Sequence, residues 1–279
     1  MEKYELLPQQ LILEGTCTNE NFFIPKAATL KQVLRIHELD YVNRLKKLEL
    51  SKSEVRNIGF PLSESLVNRE FLIAGGTLIG AEKAIRCGIA MNIAGGTHHA
   101  YPSRGEAFCL LNDQAIAAQH LLDTKQAKKI LILDLDVHQG NGTAVIFRRN
   151  PKVFTCSIHG AKNYPFRKEV SDLDIPMEDN CSDSDYLKQI QNILPKLYEQ
   201  VKPDFIFYLC GVDILKTDKL GRFDITIIGC KQRDELVLSF CKEKGIPVQC
   251  SMGGGYSKEL KTIIEAHANT YRVAKALFT

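Results

Sequence analysis

The run Ile130-Leu-Ile-Leu-Asp-Leu-Asp-Val-His138, followed by Gln-Gly-Asn-Gly142, constrains this chain more than any other stretch. It opens on uninterrupted aliphatic residues, the pattern of a strand covered on both faces of a parallel sheet. It closes with Asp134, Asp136 and His138 at alternate positions, so in extended backbone all three side chains project from one face. Two carboxylates and an imidazole converging at the end of a buried strand would repel and desolvate one another unless a cation sat between them. The mixed oxygen and nitrogen donors suit Zn²⁺ or a similar first-row divalent ion, and a third ligand would leave one position open for chemistry. The spacing reads as a catalytic metal site.

The rest of the sequence repeats the strand pattern. Strand-like runs lie at 88–93, 129–135, 152–158, 204–210 and 246–252, and helical periodicity lies at 77–87, 113–123, 141–149, 185–200, 230–243 and 257–277. Alternation of this kind predicts a single α/β domain, a mostly parallel multi-stranded sheet with helices on both faces. The first 50 residues, with apolar residues at helical spacing from Leu30 to Leu50, are expected to cap that sheet. There is no repeat, low-complexity segment or Pro/Gly-rich linker, and 279 residues with 44% apolar content suffice for one sizeable core. The reactive residues cluster at strand ends: His98 and His99 after the first run, Asp134 to His138 after the second, Ser157 and His159 after the third, Asp213 after the fourth, Tyr256 after the fifth. Open α/β sheets build their sites at that edge.

Composition narrows the function classes. A net charge of +3 with only short basic clusters (Lys128-Lys129, Arg148-Arg149) argues against direct nucleic-acid binding. No run approaches the roughly 18 apolar residues that span a bilayer, and Met1-Glu-Lys-Tyr-Glu5 lacks the apolar core of a signal peptide. Nine cysteines, an odd number with no Cys-x-x-Cys pair, and several inside apolar runs (Cys156, Cys210, Cys250), read as buried thiols of a reducing, cytoplasmic compartment, or a nucleocytoplasmic one in a eukaryote.

Six ordered motifs extend the metal reading: Gly95-Gly-Thr-His-His99, Phe108-Cys-Leu-Leu-Asn-Asp113, Asp134-Leu-Asp-Val-His-Gln-Gly-Asn-Gly142, Ser157-Ile-His159, Gly211-Val-Asp213 and Gly253-Gly-Gly-Tyr256. Together they resemble the zinc-dependent histone deacetylase family, of the arginase/deacetylase fold. His37-Glu-Leu-Asp-Tyr41 looks like its upstream His-x₃-Tyr element. Asn-Tyr-Pro-Phe166 with Ser171-Asp-Leu-Asp174 most resembles class IV and its bacterial relatives.

The resemblance implies a catalytic domain over 1–279 that removes acetyl or longer acyl groups from lysine side chains of a protein or peptide. Asp136, His138 and Asp213 would bind one Zn²⁺. His99 would act as general base toward the activated water and then protonate the leaving amine; His98 would set proton position and electrostatics; Asp134 and Asn141 would orient the two imidazoles. Tyr256 would donate to the developing oxyanion. Phe108, Tyr164, Phe166, Leu220 and Gly254 would line the tunnel for the acyl-lysine chain. Asp134, Asp136, His138, Ser157 and Ile158 match an inner monovalent-cation site, for K⁺.

Two departures stand out. Asn141 replaces the aspartate of many members, and a neutral amide stabilises an imidazolium less than a carboxylate does. Family members also begin with an extra strand and a His-x-Phe-Pro loop, so this sequence is expected to lack the first strand. The competing readings are deacetylation of an acetylated polyamine or other small amide, a two-Mn²⁺ arginase-type site, and a non-catalytic protein with a zinc-loaded acyl pocket. Arginase chemistry would need further carboxylate and histidine ligands.

Overall fold

The computed structural model describes residues 2–279. Six strands, β1 (Ile89–Asn92), β2 (Ile130–Asp134), β3 (Val153–Gly160), β4 (Leu173–Met177), β5 (Phe205–Leu209) and β6 (Val248–Ser251), form one sheet in the order β1-β6-β5-β2-β3-β4. Every pairing is parallel.

Alternation along the strands explains the layers. Ile130 and Ile132 of β2, with Phe205 and Phe207 of β5, pack on one face. Leu131 and Leu133, with Ile206 and Tyr208, pack on the other. The first face is covered by α3 (Leu39–Lys46), α4 (Lys52–Ile58), α5 (Glu64–Cys87), α6 (Asp113–Asp123) and α7 (Asn141–Phe147). The second is covered by α8 (Asp183–Val201), α9 (Ile227–Lys244) and α10 (Leu260–Phe278). Helix α1 (Lys3–Leu13) lies on α10 around Leu7, Leu11, Met252 and Ala268. No helix among the described residues is long and apolar enough to cross a membrane.

Three sequence expectations need correction. β4 has no continuous apolar run: it is an edge strand, partly exposed, and its Pro176 is tolerated because an edge leaves one row of backbone groups unpaired. α5 begins at Glu64, capped by Ser63, rather than at 77. Its Gly75 obscured the helical signal, but the gap it leaves is filled: a Cβ there would lie 1.8 Å from the Lys26 carbonyl oxygen, where the chain crosses the helix. The stretch from Leu30 to Leu50 is not one helix but α2 (Leu30–Val33) and α3, broken between them so that His37 can turn inward.

A buried ion pair ties the second helical layer to the sheet's working edge. Arg233 of α9, fully buried, donates to the carbonyls of Gly211 (2.5 Å) and Cys210 (3.2 Å), just past the end of β5, and pairs with Asp234 at 2.9 Å. Asp234 also accepts from Tyr208 (2.6 Å) and Thr270 (2.7 Å). Removing only the cation leaves a buried carboxylate and two orphaned carbonyls. Arg233→Met is therefore expected to cost about 3–5 kcal/mol in urea unfolding; a loss under about 1 kcal/mol, as for an exposed pair, would contradict this account.

Candidate active site

Asp136 and His138 follow the end of β2, and Asp213 follows the neighbouring β5, so the two central strands deliver all three groups to one point. Their donor atoms lie within 4.8 Å of one another, and all three residues are buried. His138 Nδ1 is 3.1 Å from both Asp136 Oδ1 and Asp213 Oδ2. Backbone amides fix the carboxylates: Gly254 N–H donates to Asp136 Oδ2 (2.9 Å) and Val137 N–H to Asp213 Oδ1 (3.0 Å). The backbone closes this tightly only through glycine. A Cβ on Gly254 would meet Asp213 Oδ2 at 2.0 Å, and one on Gly211 would meet Asp136 Oδ2 at 2.3 Å.

The electrostatics ask for a cation here. Burial, then the neighbouring charge of Asp136, push the Asp213 carboxyl up to about 7. For His138, burial works downward, but its bonds to Asp136 and Asp213 outweigh it and raise the imidazole to about 10. A proton is thus drawn to the spot between two carboxylates where a divalent ion would relieve the same repulsion. Two oxygens and one nitrogen in a buried cluster fit such an ion.

The histidine pair sits beside this cluster. The loop carrying it is braced by Asp113 at the start of α6, which accepts from Gly96 N–H (3.0 Å) and Thr97 N–H (2.8 Å). His98 Nδ1 is 2.7 Å from Asp134 Oδ2, and His99 Nδ1 is 2.7 Å from Asn141 Oδ1. Burial lowers both imidazoles. For His98 the charge and hydrogen bond of Asp134 outweigh burial and raise it to about 9. For His99 burial, then the charges of His98 and His138, hold it well below the ordinary range, so it is neutral.

A cavity of about 950 Å³ opens over these groups, lined by His98, His99, Asp136, His138, Asp213 and Tyr256. Phe108, Tyr164, Phe166, Leu220 and Gly254 line it too. Phe108 packs near Tyr256 (ring centroids 6.0 Å), and Tyr164 meets the His99 ring edge-on at 5.2 Å. Phe166, 86% exposed, stands at the solvent side. Asp134, Asn141, Ser157 and Ile158 are buried outside the lining, with Ser157 in register beside Asp134 and its hydroxyl 2.9 Å from His159 Nδ1.

Lys3, in the cavity lining, and Asp218, behind it, are among the groups that sequence reasoning missed. Lys3 of α1 places its Nζ 5.3 Å from the Tyr256 ring centroid and 3.4 Å from the Gly255 carbonyl oxygen. Asp218 accepts from Tyr256 N–H (2.6 Å) and, through its other oxygen, from Leu220 N–H (2.8 Å), joining two walls of the cavity. Neither lies in a motif; only the folded chain brings them here.

The His-x₃-Tyr element is a brace rather than part of the lining. His37 Nε2 accepts from Asn112 N–H at 3.0 Å, so its Nδ1 carries the proton and donates to the Tyr101 carbonyl, also at 3.0 Å. Burial pushes this imidazole down to about 4, keeping it neutral. Tyr41 donates to the Leu110 carbonyl (2.9 Å), securing the same loop.

A family model for the histone deacetylase domain matches residues 1–271. The chain belongs to the histone deacetylase family. An uncharacterized protein of Picosynechococcus sp. is 41% identical over 278 residues, spanning 100% of this chain and 93% of its own. Histone deacetylase 2 of Arabidopsis thaliana is 29% identical over 264 residues, covering 91% of this chain and 68% of its own. Histone deacetylase RPD3 of Saccharomyces cerevisiae is 31% identical over 254 residues, covering 83% and 57%. The crystal structure of an HDAC homolog complexed with SAHA superimposes with a TM-score of 0.85 at 24% identity, over 97% of this chain and 77% of that one. An HDAC homolog from Aquifex aeolicus gives 0.82 at 23%, over 95% and 76%. At such identities the two structures speak for the histone deacetylase fold alone.

Proposed function

We propose that this histone deacetylase-family chain is a zinc-dependent, class IV-like deacylase that removes acetyl or longer acyl groups from lysine side chains. The observation that carries the reading is the meeting of a buried carboxylate–imidazole–carboxylate cluster with two oriented histidines on one partly aromatic cavity. Asp136, His138 and Asp213 would hold the ion, which when bound polarises a carbonyl and brings the acidity of water near neutral pH.

The chain's own groups then divide the work. His99, neutral and oriented by Asn141, accepts the water's proton at Nε2 and returns it to the departing lysine amine. His98, held charged by Asp134, keeps the adjacent imidazole from retaining that proton too firmly. Tyr256 donates its hydroxyl hydrogen to the oxyanion as the carbonyl becomes tetrahedral. Phe108, Tyr164, Phe166, Leu220 and the side-chain-free Gly254 accept the neutral methylene chain. Asp134, Asp136, His138, Ser157 and Ile158 form the candidate K⁺ site on the β2–β3 pair, where a monovalent cation would offset carboxylate charge.

Charge at the cavity weighs against an acetylated polyamine. Arg56, Lys219 and Lys258 are exposed along its lining, with Lys162 and Arg222 offset by ion pairs to Glu178 and Asp179, against Glu2 as the exposed acid among the described residues of that lining. A polycationic substrate would be repelled there. The test is a panel of acetyl-lysine and longer acyl-lysine peptides and acetylated polyamines, each with and without chelator. Chelator-sensitive release from acyl-lysine is expected; release that ignores the chelator would overturn the reading.

A further inference from the structure

Asn141 poses a problem that the fold answers. An aspartate in its place would present an acceptor to His99 whichever way it turned, whereas an amide can present either oxygen or NH₂. Only the oxygen forces the hydrogen onto His99 Nδ1 and leaves the Nε2 lone pair for chemistry. Something must fix the amide.

We propose that Glu106 is the positioning residue that does so, supplying from one residue further out the negative charge that Asn141 lacks. Asn141 Nδ2 lies 3.2 Å from Glu106 Oε1 and 3.0 Å from Tyr101 Oη. A carboxylate only accepts, so it must face the NH₂. Tyr101 directs its own hydroxyl hydrogen to Glu169 Oε1 (3.3 Å) and so accepts the second amide hydrogen. Asn141 Oδ1 is left for His99 Nδ1 (2.7 Å) and Gly142 N–H (3.1 Å), both of which must donate. Reversing the amide would set its oxygen against the Glu106 carboxylate and its NH₂ against His99.

Glu106 is built into place. A tight turn pairs it with Cys109 through two backbone hydrogen bonds of 2.9 Å, with Ala107 and Phe108 at φ of 43° and 67°. Those left-handed conformations are unfavourable for side-chain-bearing residues and persist because the backbone is held on both sides. Ala107 N–H donates to the Asn57 carbonyl (2.9 Å) and Phe108 N–H to the Ile58 carbonyl (2.7 Å). The same turn delivers Phe108 to the cavity and the Glu106 carboxylate to Asn141. Glu106 also accepts from the Tyr164 hydroxyl, whose ring packs on His99, and from Arg104 Nε (3.2 Å).

The inference rests on His99 as the general base, so its test has a readout apart from turnover. Histidine-selective ¹⁵N labelling of the full chain reports which ring nitrogen of His99 bears hydrogen. The parent is expected to show the Nδ1–H form. Glu106→Gln, isosteric but able to offer either amide face, is expected to populate the Nε2–H form and to lower kcat on the order of 10- to 100-fold. Asn141→Asp alone sets two carboxylates side by side and should also be impaired. Glu106→Gln with Asn141→Asp restores one charge and one NH₂ donor, and is expected to recover the Nδ1–H form and most of the rate, a non-additivity that a merely structural role would not give. A Glu106→Gln protein that keeps the parent tautomer overturns the proposal whether or not the chain hydrolyses acyl-lysine. A chain inactive on every amide, yet with the tautomer shifted by Glu106→Gln, would sink the deacylase reading and leave the role of Glu106 standing.

Discussion

Asp213→Asn is expected to yield folded protein that retains no divalent ion and turns over about 10³-fold or more slowly, since a metal contribution of several kcal/mol is lost. The substitution keeps the shape of the side chain, so the Val137 N–H bond to Oδ1 can survive. What goes is one of two negative charges in a fully buried cluster, and with it a donor atom 3.1 Å from His138. Folding supplies its own control. Without an ion, the two carboxylates share the single protonated imidazole of His138, and the Asn variant leaves one of each in the buried cluster. The metal-stripped Asn variant should therefore melt no lower than the metal-stripped parent. Metal analysis by mass spectrometry, turnover and thermal melts are the measurements. One tightly held ion together with near-parent turnover would remove Asp213 from the ligand set.

His99→Ala and Tyr256→Phe form the second test, and they should part company with the first over metal content. Both are expected to bind the ion like the parent. His99→Ala removes proton transfer in both directions and is expected to cost about 10²–10⁴ in kcat. Tyr256→Phe removes one oxyanion donor and is expected to cost about 10²–10³, the loss seen when such a hydrogen bond is deleted from a water-excluded site. The hydroxyl makes no structural claim on the fold: Tyr256 is fixed through its backbone N–H to Asp218 and through ring packing against Phe108. Turnover close to the parent in either variant would end that residue's assignment.

The histone deacetylase fold was legible in the sequence wherever one element carried its own pattern. β2 and β5 are buried on both faces, so their residues are apolar without interruption, and they stand where the runs at 129–135 and 204–210 put them. β4 was not legible, because an edge strand whose faces are only partly covered carries a mixed sequence, here with Asp174 and Pro176 among its five residues. The start of α5 was hidden by Gly75, which admits the crossing backbone at Lys26, a contact that no local periodicity encodes. The candidate site divides in the same way. Its groups at strand ends fall within short motifs, since a strand of fixed pleat delivers neighbours two residues apart to one place. Lys3, which lines the cavity, and Asp218 and Glu106, which lie behind its lining, come from a helix, a loop and a turn that only tertiary structure brings together. Nothing around them in the chain distinguishes them from surface charges.

The two central strands have a mechanical consequence. His138 and Asp213 touch although 75 positions separate them, and the intervening chain runs out to the β4 edge and returns through α8. An ion gripped by both would work as a clasp between the earlier and later portions of the polypeptide. Loading a metal and locking the sheet's midline would then be a single cooperative event.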